Sequence, residues 1–437
     1  MSHYEISLIV FGLLLLSLGG GLWIMSSLLL VGLASQVIIA GFPLAKIGSI
    51  AATVVARNGM GWELSAIPLF IWMGELLIHT RLSRMIFEGL SPFVAWLPGR
   101  LLHTSVLGST MFAAVSGSSA ATTTTVGRIT VGELIGRGYD RSLVMGSLAG
   151  AGTLGLMIPP SIILIIYGVM AEVSIIRLFA AGIIPGLLMA ALYSSYIAGS
   201  AILRPAVAPQ EAARYSRRDY LVAFGKLLPI IALMAIILGA IYSGLATPSE
   251  AAAIGLAATM VITLLMGQLS LRVIYDSLQN AVRMSAMIVS LIVCAAVLAS
   301  AMSYVRLPQS IAEIIADLDP SSLQLILMLA GFYIFLGLFL DGTSITVMSL
   351  PITMPVVLAS GIDPIWFGIF LVVMIELGQI TPPVGFNLYL LQSLTGASLG
   401  RVALAAFPFF LLLCLGVVIL YLFPGLVTWL PDLIYGS

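Results

Sequence analysis

Gly152-Thr153-Leu154-Gly155-Leu156-Met157-Ile158-Pro159-Pro160-Ser161 interrupts a long apolar run. Two successive prolines lack amide donors and free carbonyls of the preceding turn, so a helix entering this stretch must break. The break has a double. Gly155, Pro159 and Pro160 find Gly378, Pro382 and Pro383 at one constant offset, and Gly138 and Asp140 find Gly361 and Asp363 at that same offset. Ser174, Arg177 and Pro185 are matched by Ser398, Arg401 and Pro408, with a slip of one residue in the middle. The chain therefore reads as two copies of one membrane module.

Composition agrees. At 437 residues, 60% hydrophobic and 8% charged, the chain cannot keep its surface in water and is read as an integral membrane protein. The apolar start, 6–33, is too long for a signal-peptide core and has no basic segment ahead of it, so it is expected to stay as a spanning helix. Cys294 and Cys414 lie in apolar surroundings and suggest neither a disulfide framework nor a metal site. Net charge is zero, no basic cluster argues for nucleic acid, and no Walker-type loop offers an ATP site.

Because a span needs roughly 20 apolar residues, helices are expected near 6–33, 37–56 and 61–79, with 81–97 lying along the interface; together 1–100 form an N-terminal scaffold. The first repeat core is 101–203. Within it, 101–136 has two short limbs flanking a polar tip, Ser116-Gly117-Ser118-Ser119, followed by Thr122 to Thr125. Bare backbone and hydroxyls cannot face lipid, so this is read as a re-entrant hairpin with its tip buried in protein. The broken helix 141–171 and a helix 175–203 follow. A polar linker, 204–225, carries Pro205, Pro209, Arg214, Arg217 and Arg218. Second-half scaffold helices occupy 226–321, with spans near 226–246, 250–268 and 284–304 and an interfacial piece holding Glu313, Asp317 and Asp319. The second core, 322–430, repeats the plan: hairpin 322–360 with tip Asp341-Gly342-Thr343, broken helix 364–395, last helix 399–430.

Placing the linker in the cytoplasm also puts Arg81, Arg84, Arg100, Arg137, Arg141, Arg272 and Arg401 there, with Arg57, Arg177 and Arg306 as outliers. On this count the first hairpin opens to the cytoplasm and the second to the outside, so the repeats are inverted.

Two tips meeting two broken helices gather free carbonyls, amides and hydroxyls near the midplane. Carbonyls at the unwound turns, with Ser118, Ser119, Thr343 and Asp341, suit a small hard cation, and half-helix amino ends suit an anion. Asp341 either ligates a cation or caps the returning limb. Glu376, an intramembrane acid beside the second break, is read as a brace of the unwound turn. Thr122 to Thr125 either ligate or bond back to their own helix. Glu75 and His79, one turn apart, read as an interfacial pair rather than a proton relay.

Gly117-Ser118-Ser119, Gly138-Tyr139-Asp140, Gly152-Thr153-Leu154-Gly155, Ile158-Pro159-Pro160-Ser161 and Ala181-Gly182-Ile183-Ile184-Pro185-Gly186 follow one another in the first half. Leu340-Asp341, Gly361-Ile362-Asp363-Pro364, Glu376-Leu377-Gly378 and Ile380-Thr381-Pro382-Pro383-Val384-Gly385 do so in the second. In these motifs the chain resembles the large membrane subunit of tripartite ATP-independent periplasmic (TRAP) transporters. The resemblance implies an all-α polytopic protein with the elevator-type ion-transporter superfamily fold. It implies sodium-coupled uptake of an organic anion, such as a C4-dicarboxylate or sugar acid, across the bacterial inner membrane. Sodium ions are the implied coupling ions, with no other cofactor. The implied partners are a small four-helix membrane subunit and a periplasmic substrate-binding protein. Its sodium and substrate positions fall on Ser116, Gly117, Ser118, Ser119, Thr122, Thr153, Gly155 and Pro159 in the first half. In the second they fall on Asp341, Gly342, Thr343, Glu376, Gly378, Thr381 and Pro382.

Two rivals are weighed. One is a stand-alone organic-anion transporter of the same plan, driven by an ion or by protons through Glu75, His79 or Asp341. The other, a serine hydrolase using Ser118 or Ser119 with His103, is opposed by the distance between base and tip, about four helical turns. The chain is therefore read as a transporter and not an enzyme.

Overall fold

The computed structural model describes residues 3–209, 215–308, 310, 313, 320–382 and 385–436. Arg214, Asp317, Asp319, Pro383 and Val384 lie outside the described residues. Every regular element among the described residues is a helix. Among the described residues six helices are long and apolar enough to cross a bilayer, and two bent pairs reach that length jointly.

The helices read above as scaffold are α1 (His3–Gly19), α2 (Ile24–Ile38), α3 (Leu44–Gly59), α4 (Ala66–Ile78), α5 (Leu82–Val94), α12 (Arg217–Tyr242), α13 (Pro248–Leu265) and α14 (Leu271–Tyr304). The long α14 packs against α2, α3 and α4, while α12 lies along α5 and α13 along α4. The short α5 buries Leu82, Ile86, Phe87, Leu90 and Val94 against its neighbours.

Several expected boundaries move. The span expected over 6–33 is two helices, because Gly19-Gly20-Gly21 each cost roughly 1 kcal/mol in a helix interior. Gly21, at φ +82°, takes the left-handed turn that ends α1. The span expected over 37–56 begins later, at Leu44, after a turn through Gly41 and Pro43. Part of the expected linker is helical: Ser216 and Asp219 form a reciprocal capping box that starts α12 at Arg217. Ser270 likewise caps α14 well before the expected start. At the C-terminus Pro424 divides 399–430 into α19 (Leu399–Leu422) and α20 (Gly425–Tyr435).

The remaining helices form the two repeat cores. In the first, the hairpin is α6 (His103–Ser116) and α7 (Ser119–Gly136). Its broken helix is α8 (Arg141–Gly152), the single turn α9 (Leu154–Met157) and α10 (Ile162–Met170), bent by 40°, followed by α11 (Ile175–Leu203). The second has hairpin α15 (Ser322–Gly337) and α16 (Gly342–Ala359), then broken helix α17 (Pro364–Gln379) and α18 (Phe386–Thr395), leading to α19.

The recurring Gly-x-Asp motif has a physical reason. Gly138 and Gly361 adopt φ +83° and +69°, ending each hairpin in the left-handed region. Two residues on, Asp140 accepts from the Leu143 amide at 2.8 Å and Asp363 from the Ile365 amide at 2.6 Å, capping α8 and α17.

The repeats interlock by exchange. α7 packs against α18 and α16 against α10, so each hairpin's returning limb leans on the far half of the other repeat's broken helix. Similarly α8 packs against α19 and α17 against α11. Such crosswise packing buries the first tip and the first break against both flanks of the second break.

Candidate functional site

The first tip closes on the first break with bare backbone. A Cβ on Gly155 would lie 2.6 Å from the Cα of Ser119, and one on Gly117 would lie 2.7 Å from the Pro160 carbonyl oxygen, so neither position has room for a side chain. The Pro159-Pro160 peptide is cis, and the Ile162 amide beyond it donates to the Gly117 carbonyl at 3.4 Å. Leu156, in the isolated turn α9, lies against the second tip: its Cδ1 is 3.3 Å from where a Cβ on Gly342 would stand.

Ser119, the first residue of α7, is the meeting point. Its Oγ lies 3.0 Å from the Gly152 carbonyl oxygen and 3.0 Å from Oε2 of Glu376, and Asn387 Nδ2 donates to it at 2.7 Å. One hydroxyl proton serves one acceptor at a time. Hairpin tip, first break, residue before the second break and residue after it are thereby joined. Glu376 is 0% exposed, and the Leu156 amide also interacts with its carboxylate.

Three buried oxygens nearby have no hydrogen-bond partner among the described residues: Oε1 of Glu376, Oδ1 of Asn387 and Oγ1 of Thr123. Thr123, one turn after Ser119 on α7, presses against Gly152, where a Cβ would fall 2.0 Å from its Oγ1. Burying a carboxylate costs several kcal/mol unless a positive partner meets it. Carboxylate, amide, hydroxyl and backbone carbonyl oxygens form the donor set of a hard cation, and the unpartnered atoms fit one.

The other expected site residues divide. Ser116 and Thr122 share a hydrogen bond across the tip, 3.0 Å between hydroxyls, so Thr122 does not bond back to its own helix. Ser118 caps α7 by accepting from the Ala121 amide at 3.3 Å. Thr153 faces away toward α11, its hydroxyl 2.9 Å from that of Tyr193 and 2.6 Å from the Gly150 carbonyl.

In the second half Asp341 is exposed and acts as a cap, accepting from the Thr343 and Ser344 amides at 3.1 and 3.4 Å and from the Ser344 hydroxyl. Thr343 is half-buried beside it. Gly378 packs on Gly337, Thr381 bonds back to Leu377 at 2.6 Å, and Pro382 is exposed. Of the second-half set, Glu376 alone reaches Ser119.

Thr123 belongs to the Thr122 to Thr125 run read above as either ligands or back-bonded hydroxyls, whereas Asn387 carries no such expectation. Asn387 stands as a lone amide in Phe386-Asn387-Leu388-Tyr389-Leu390-Leu391, which is the signal that could have found it. Glu75 pairs with Asn280, whose Nδ2 is 3.2 Å away, not with His79. His103 Nε2 sits 2.7 Å from the Pro98 carbonyl, at the end of α6 opposite the tip serines.

The family described as "Tripartite ATP-independent periplasmic transporter, DctM component" matches residues 9–426. The C4-dicarboxylate TRAP transporter large permease protein DctM of Pseudomonas aeruginosa is 34% identical over 374 residues, 85% of this chain and 86% of that one. The isethionate TRAP transporter permease protein DctMQ of Oleidesulfovibrio alaskensis is 30% identical over 404 residues, 92% of this chain and 62% of that one. Among solved structures, the YdaH transporter of Alcanivorax borkumensis superimposes with a TM-score of 0.67 at 15% identity, covering 94% of this chain and 98% of that one, which shows a shared fold.

Proposed function

The chain belongs to the DctM component family of tripartite ATP-independent periplasmic transporters, and from that premise we propose that it performs sodium-coupled uptake of an organic anion across the bacterial inner membrane. It is a multi-pass permease, and its relatives are permeases rather than enzymes. In this reading a periplasmic binding protein delivers the anion and a small four-helix subunit completes the membrane complex. The two hairpins and broken helices move as one body against the scaffold.

One observation carries the reading: Ser119 joins both breaks around Glu376, with three buried oxygens left over for an ion. A cation held there brings the membrane potential into the cycle, worth about 2.3 kcal/mol per charge per 100 mV. The second break packs on the first tip, so filling the cluster stiffens the joint between the repeats. An empty cluster leaves Glu376 buried without its counter-charge and resists the crossing. That asymmetry is what coupling needs.

The test is uptake into proteoliposomes holding this permease with its small subunit and binding protein. A sodium gradient is expected to drive accumulation and a proton gradient alone is not. Uptake on protons without sodium, or without any binding protein, would overturn the reading in favour of a stand-alone transporter.

A further inference from the structure

A second polar site stands apart from the Ser119 cluster. Between scaffold and hairpin body lies a cavity of about 560 Å³, within the range of small-molecule sites. Its walls differ. From α3 and α14 of the scaffold come Thr53, Arg57, Asn58, Ser300 and Ser303, whereas α10 and α16 contribute mainly aliphatic side chains. Just past α10, Glu172 adds a single carboxylate.

Among the described residues Arg57 is the one cation lining the cavity, and neither it nor Glu172 has an ion-pair partner there. The neutral polar groups have largely spent their protons. Thr53 donates to Ser49, Asn58 to Val54 and Ser303 to Ala299, each within its own helix. What these residues still offer a ligand is mostly acceptors, three hydroxyl oxygens, the Asn58 amide oxygen and the Glu172 carboxylate, with the Ser300 hydroxyl and one Asn58 N–H left to donate. Glu172 sits at φ +56°, the left-handed position closing α10, where glycine would be free of strain and a carboxylate is not.

We propose that this cavity is an anion-selecting site on the path to the hairpin tips. Arg57 anchors one carboxylate or sulfonate, and Glu172 with the neighbouring acceptors selects hydroxyl or ammonium groups on the rest of the solute. A second carboxylate would meet Glu172 and be rejected, so the ligand class is a hydroxylated or zwitterionic monoanionic acid rather than a dicarboxylate. The proposal rests on the transport reading above, since α10 and α16 belong to the body that would move and α3 and α14 to the part that would not.

Gluconate and succinate serve as probes in thermal-shift titrations of the purified permease with its small subunit. Gluconate is expected to protect the wild type and succinate to do so at least about tenfold more weakly, the equivalent of one unfavourable charge contact. Arg57→Gln should weaken gluconate by at least about tenfold, the loss of a charge-assisted hydrogen bond, and Arg57→Lys should restore most of it. Without ligand, Arg57→Gln should unfold like the wild type, because no protein partner is lost. Glu172→Gln should raise succinate to the level of gluconate. Equal protection by both acids, no protection by either, or an Arg57→Gln protein that binds gluconate normally would overturn the site. So would loss of gluconate protection when phosphatidylglycerol is added, which would assign Arg57 to lipid phosphate. Sodium-driven uptake by the wild type, measured alongside, separates the two readings: if it persists while these titrations fail, only the cavity assignment falls.

Discussion

A Cβ added to Gly337 would stand 2.6 Å from the Cα of Gly378, and one added to Gly378 would stand 2.6 Å from the Cα of Gly337. At this point α15 crosses α17 backbone to backbone, immediately before the second break. Without a hydrophobic drive between helices in lipid, such close approach is how membrane helices gain packing contacts. Gly378→Ala is expected to force the pair apart and cost about 1–3 kcal/mol. Gly331, on α15 with Gly337, has open space where a Cβ would stand, so Gly331→Ala should be neutral or mildly stabilising. Unfolding temperatures in detergent compare the two, and an undiminished Gly378→Ala protein would mean that the crossing is looser than described.

Ser118 and Ser119, adjacent at the first tip, should separate. Ser118 caps α7, so Ser118→Ala should cost about 1 kcal/mol of stability and leave ion dependence nearly intact. Ser119 bridges Gly152, Glu376 and Asn387, and Ser119→Ala strips a hydrogen bond from a buried carboxylate, a loss of about 1–3 kcal/mol. Its sodium concentration for half-maximal uptake should rise by roughly tenfold or more. Matching sodium curves for the two variants would remove Ser119 from the ion site.

For Asp341 the geometry favours a cap over a ligand, because its oxygens are occupied by the start of α16. Asparagine caps helices about as well as aspartate, so Asp341→Asn should transport nearly normally. Asp341→Ala should lose about 1 kcal/mol of stability. Abolished sodium dependence in the asparagine variant, with normal expression, would restore the carboxylate as a ligand.

What the sequence disclosed and what it hid have separate causes. Gly138, Asp140, Gly361 and Asp363 were legible because left-handed turns and helix caps are local and admit few residue types. Pro159 and Pro160 marked the first break for a similar reason. The division of 6–33 was missed because apolar length outweighed three adjacent glycines, and α12 was shortened because its polar start looked like linker. The site was half legible. Ser119 and Glu376 stood out as polar groups in apolar stretches, but their 3.0 Å contact spans the two repeats and follows from crosswise packing that no local pattern encodes. Gly337 gave no signal at all, since its role exists only opposite Gly378.

Glu376→Gln asks whether the buried acid braces the turn, as its place in the sequence suggested, or holds an ion. The amide keeps the size of the side chain, and its oxygen can still accept from Ser119, so a brace should survive the change. Removing a buried charge without opening a cavity is often neutral or stabilising, and the unfolding temperature should therefore hold or rise. A cation ligand would not survive: the set of Thr123, Asn387 and Gly152 oxygens would lose its only negative member. Uptake is then expected to fall steeply, with the residual activity no longer responding to sodium. Glu376→Ala gives the complementary case, unfolding earlier because Ser119 and the Leu156 amide lose their buried partner and a cavity opens. If the glutamine variant shows the sodium dependence of the wild type, Glu376 is a brace and the coupling ion must be sought elsewhere.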